Sequence, residues 1–68
     1  MNKESILKKL DELATLIGGF RDDANSRFFE ANTLSDKSHF NGLAKGYGIS
    51  EAYIRDLIRE LESAKQED

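Results

Sequence analysis

The sequence predicts an all-α protein, a compact four-helix domain, on three observations. The 68 residues include no Pro and only five Gly, and they are rich in the helix formers Leu, Ala, Glu and Lys. No stretch alternates apolar and polar residues as a half-buried strand would. Apolar residues instead recur three and four apart, the spacing that builds one face of a helix.

The first helix is expected from about Lys3 to Ile17, with Ile6, Leu7, Leu10, Leu13, Ala14 and Ile17 on one face and Lys3, Glu4, Lys8, Lys9, Asp11 and Glu12 on the other. Gly18-Gly19 supplies the expected stop, since Gly takes the left-handed conformation that ends many helices. A second helix, Phe20 to about Asn32, places Phe20, Ala24, Phe28 and Ala31 on one side and starts with Asp22 and Asp23, where the helix dipole favours negative charge. Asn32-Thr33-Leu34-Ser35 reads as a turn, with Ser35 capping the next helix. That third helix, about Asp36 to Tyr47, carries Phe40, Leu43, Ala44 and Tyr47 and is broken by Gly48. Ser50 caps a fourth, about Glu51 to Ala64, with Tyr53, Ile54, Leu57, Ile58 and Leu61 inward. Residues 1–64 form a single domain in this reading, and residues 65–68 a fraying polar tail.

So short a chain buries only about 60% of the surface its unfolded form exposes, and one core of this size supplies roughly 3–5 kcal/mol. With no Cys and one His, disulfides and thiolate metal sites are excluded, and neither a metal nor a cofactor is expected. Self-association as a homodimer, or folding against a partner, is the expected remedy. The segment MNKESILKKLDEL has charges inside its first apolar stretch, unlike a secretion signal. No apolar run reaches the roughly 20 residues needed to span a membrane. A cytoplasmic protein with no membrane partner and no small-molecule substrate is expected.

The stretch FNGLAKGYGISEAYIRDLIR, residues 40–59, holds the one motif with functional content. Ala44 is small where two helices would cross closely, and Leu43 and Tyr47 are apolar. Gly48 sits where a turn wants positive φ, Ile49 would plug that turn, Ser50 would cap the next helix, and Ile54 and Leu57 would face inward. This pattern resembles the helix-turn-helix of bacterial and phage DNA-binding proteins, two helices joined by a short turn containing Gly. Gly46 departs from it, because Gly within a helix costs about 1 kcal/mol relative to Ala. The resemblance implies a helix-turn-helix-like unit in the C-terminal half, and with it transcription regulation. Its second helix would enter the major groove with Ser50, Glu51, Ala52, Arg55 and Asp56 at the base edges, Arg55 reading a base, and Lys37, His39, Lys45 and Arg59 would hold phosphates.

Charge speaks for and against this. The chain carries −3 overall, with pI near 5.1, short of the basic footprint of a nucleic-acid binder. Within residues 36–59, Lys37, Lys45, Arg55 and Arg59 against Asp36, Glu51 and Asp56 leave +1, and the acidity collects in the last nine residues. Glu51, Arg55, Arg59 and Glu62 also form a ridge at helical spacing, which suits a solvated face or the rim of a protein contact. The alternative to DNA is therefore a helical protein-binding module, an inhibitor, modulator or antitoxin-like factor. For either role the expected interface residues are Leu10, Leu13, Ile17, Phe28 and Phe29. Phe28 and Phe29 cannot both face one core from one helix, and the stripe of the first helix suits a dimer seam. Catalysis is not expected. Asp36 and His39 form an i,i+3 pair best read as a partly exposed helix surface, and Asp22, Asp23 and Glu30 are best read as helix-end charges. No nucleophile–base pattern or phosphate loop is present.

Overall fold

The computed structural model describes residues 2–64, so the expected tail at 65–68 lies outside the described residues. These residues form two α-helices, α1 (Lys3–Glu30) and α2 (Leu34–Ala64), joined by residues 31–33. They pack side by side as a helical hairpin measuring 55 × 16 × 13 Å.

The four-helix expectation is therefore corrected to two. Gly18 and Gly19 lie inside α1, and Gly48 and Ser50 lie inside α2; none of the described residues has positive φ. Gly permits a turn but does not impose one, and in a helix interior it costs only about 1 kcal/mol relative to Ala. Continued packing along the partner helix outweighs that cost. The helix-turn-helix-like unit expected in the C-terminal half is not formed, because residues 40–59 are one uninterrupted stretch of α2.

The packing that carries both helices through their glycines follows a strict seven-residue repeat. On α1 the buried and half-buried line is Leu7, Leu10, Ala14, Ile17, Arg21, Ala24 and Phe28; on α2 it is Lys37, Phe40, Ala44, Tyr47, Glu51, Ile54, Ile58 and Leu61. Steps of three and four alternate without a slip, the mark of a coiled-coil seam. Only Ala14, Ala24 and Ala44 are fully buried hydrophobics among the described residues, and no large side chain is. Two helices in contact enclose a line, not a volume, so larger side chains at the seam stay partly in water.

The ends have local causes. Asn2 caps α1, its Oδ1 accepting from the Ser5 amide at 2.8 Å. The turn falls where the sequence predicts one, but Thr33 caps α2 in place of Ser35: its Oγ1 accepts from the Asp36 amide at 3.1 Å. Lys37 closes the turn by donating from Nζ to the Phe28 carbonyl at 3.1 Å, with its ammonium 4.9 Å from the Phe28 ring centre. The Phe28 carbonyl, which also accepts from the Ala31 amide at 3.3 Å, thereby gains a charged donor at the end of α1.

Candidate interaction surface

The residues flanking the seam give the hairpin two unlike sides. One position before the seam on α1 stand Ile6, Leu13 and Phe20, and one before it on α2 stand Leu43, Ser50 and Leu57. Leu13 and Phe20 are 44% and 47% exposed, and Ile6, Leu43 and Leu57 are similar. Both flanks border one groove: Phe20, Ala24, Phe40, Leu43 and Tyr47 line a shallow cavity of about 320 Å³, and the Phe20 and Tyr47 rings stand 5.6 Å apart. Leu10 lies between Ile6 and Leu13 on the helix surface, and Ile54 between Ser50 and Leu57, since residues three and four apart are neighbours. Leu16 and Tyr53 extend the apolar margin outward and are largely exposed. From Ile6 to Phe20 and from Leu43 to Leu57 these flanking rows carry no charge, a length of roughly 20 Å at 1.5 Å per residue. Asp23 and Arg27 border the groove toward the turn, paired to each other at 2.9 Å.

The opposite side is charged and internally satisfied. Glu51 sits in the seam with its side chain 16% exposed and accepts from Arg21 across the hairpin. Its second oxygen accepts from Arg55 Nε at 3.4 Å, and Arg55 Nη1 reaches Asp11 of α1 at 3.3 Å. Arg21 also donates to Asp22 at 3.2 Å. That bond first, and then the field of Glu51, raise the Arg21 guanidinium above its ordinary value, so it stays charged at any working pH. Gly18 makes room for this arrangement, since a methyl there would come within 2.8 Å of Glu51 Oε2. Arg59 is paired with Asp56 one turn away.

The sequence-predicted residues divide between these sides. Leu10, Leu13 and Ile17 belong to the apolar side or its seam edge. Phe28 is half-buried beneath Lys37, and Phe29, 78% exposed, meets Phe28 edge-on at 5.4 Å near the turn. The residues assigned to DNA do not gather. Lys37 is at the turn, His39 packs on Phe40 at 5.1 Å, and Lys45 is exposed. Ser50 lies among the apolar flank, while Glu51, Arg55 and Arg59 border the charged groove. Lys37 and Arg59 are separated by roughly 33 Å of helix. Sequence reasoning gave Phe20, Leu43 and Leu57 to the core, although their seven-residue steps run beside the seam and mark them as a flank. Among the described residues no cluster of His, Asp or Glu could hold a metal ion, and no helix is long and apolar enough to cross a membrane.

No protein-family model, curated protein or solved structure matches the chain.

Proposed function

We propose that the chain is a protein-binding helical module that works by packing helices against its apolar side. The observation that carries this reading is the uncharged flank of Ile6, Leu13 and Phe20 beside Leu43 and Leu57, left open to solvent on a hairpin whose only buried hydrophobics, among the described residues, are alanines. An apolar stripe on a helix gains free energy only when a second surface covers it, and contiguous exposed apolar area of this kind marks interaction sites. Reading DNA would require a base-contacting helix with free cations, whereas Arg55 is engaged with Glu51 and Asp11, and carboxylates interrupt the charged groove.

The test is capture of partners by the tagged chain from its own cells, with and without nuclease, using Leu13→Glu on the apolar side and Arg55→Ala on the charged side. Nuclease-resistant capture that Leu13→Glu abolishes and Arg55→Ala leaves intact is the expected result. Capture that nuclease removes, together with a salt-sensitive gel shift of duplex DNA that depends on Arg55, would overturn the reading in favour of nucleic acid.

A further inference from the structure

We infer that the occupant of the apolar side is a second copy of this chain, and that two hairpins stack face to face as a four-helix bundle. The inference rests on the protein-binding reading above and names the partner of that same surface.

An elongated hairpin, 55 × 16 × 13 Å, leaves more surface open than a compact monomer of its mass. The chain exposes 5180 Å², whereas a folded monomer of 7.7 kDa exposes about 4,300 Å². The excess, roughly 900 Å², is close to the approximately 800 Å² that each partner contributes to a stable interface. Shape points to the same chain. The apolar side is two parallel ridges, one from each helix, with a shallow groove between them near Phe20 and Tyr47. A second hairpin offers the same ridges and groove, and a two-fold axis, the usual symmetry of small assemblies, would seat the ridges of each copy beside the groove of the other. Charge agrees. A face contacting itself must not place like charges opposite one another. The rows Ile6, Leu13, Phe20 and Leu43, Ser50, Leu57 hold none, although the chain as a whole carries −3; the charges at their edge are Lys9 and the mutually paired Asp23 and Arg27. The charged side, with its Arg21–Glu51–Arg55–Asp11 network, stays outward in this arrangement and remains solvated.

Stacking also supplies what a lone hairpin lacks. Leu10, Ile17, Tyr47 and Ile54, half-buried at the seam, would become the interior of a four-helix core, where coiled-coil packing encloses a volume and not a line.

The test is sedimentation equilibrium of the purified full chain over a wide concentration range, with far-UV circular dichroism on every sample. Wild type is expected at twice 7.7 kDa. Leu13→Glu or Leu57→Glu, which places one buried carboxylate per copy in the interface, is expected to weaken dimerisation at least about 30-fold. Ala52→Glu, at a residue that lines the charged groove with Arg21, Glu51 and Arg55, is expected to leave the mass at that of the dimer. A wild type that is monomeric throughout, or that forms trimers or larger species, overturns the inference whether or not the variants fold. A dimer broken by Ala52→Glu and untouched by Leu13→Glu overturns it as well. If wild type is monomeric while Leu13→Glu still abolishes nuclease-resistant capture, the second copy is wrong and the protein-binding reading stands. If Leu13→Glu changes neither mass nor capture, both fail.

Discussion

Replacing each of two buried or half-buried glycines by Ala separates the hairpin from any fold in which those glycines make turns. Gly48 lies inside α2, and a methyl built there meets only Arg21 Cδ at 3.7 Å, an ordinary contact. Gly48→Ala therefore gains the helix-interior preference of about 1 kcal/mol with no steric cost. For a domain of this size that corresponds to a rise of about 4–8 °C in Tm. Gly18 gains the same preference, but its methyl would fall 2.8 Å from Glu51 Oε2 and 3.3 Å from Glu51 Cδ. Glu51 must move, loosening its bonds to Arg21 and Arg55, so Gly18→Ala should leave Tm unchanged or lower it. In a Glu51→Ala background the obstruction is gone, and Gly18→Ala should recover the full gain, a coupling that a double-mutant cycle reads directly. Thermal unfolding by circular dichroism at one fixed chain concentration suffices, since association would shift Tm by mass action. A fall in Tm for Gly48→Ala would refute the reasoning, because Ala is penalised there only if the backbone needs positive φ.

The helix ends and the seam give further expected outcomes. Thr33→Ala should cost about 1 kcal/mol through loss of the α2 cap, while Ser35→Ala, at the cap expected from sequence, should stay within about 0.5 kcal/mol; equal effects in urea unfolding would contradict the placement of the turn. Lys37→Met should lower stability by about 0.5–1 kcal/mol, since it removes the donor to the Phe28 carbonyl and the cation over that ring. Glu51→Ala should lower the urea midpoint with little change in slope, because Arg21 and Arg55 lose the carboxylate that joins them across the hairpin; an unchanged midpoint would show that the network contributes nothing.

Residue type and spacing made the helical content legible, together with the turn near Asn32 and Thr33 and the start of the first helix near Lys3. The number of helices was not legible, and Gly18, Gly19 and Gly48 show why. A glycine states what the backbone may do, and the surrounding packing decides what it does. The seam would have argued for continuity, since its steps of three and four run unbroken past all three glycines. Arg21 and Glu51 hide it, because each puts a charge at a seam position on its own helix. The two sit 30 residues apart, and only the hairpin brings them together so that each answers the other. The candidate surface was half legible. Leu10, Leu13 and Ile17 were read from their stripe, whereas Phe28 and Phe29 were chosen as adjacent aromatics and lie at the turn, away from the uncharged flank. Leu43 and Leu57 fell to the core because their seven-residue steps run beside the seam, and they separate from it only once the seam itself is known.

Both the hairpin and its apolar side require α2 to be one straight rod through Gly48. The chain has no Cys, so Ser38→Cys and Ser63→Cys, both exposed on α2, allow two spin labels to be placed without competing sites. Their separation, measured by pulsed electron resonance with excess unlabelled chain to suppress signals between copies, should centre near roughly 38 Å, the length of about 25 helical steps. A distribution centred near about 30 Å, as two segments crossing at a bend about Gly48 would give, would contradict a continuous α2.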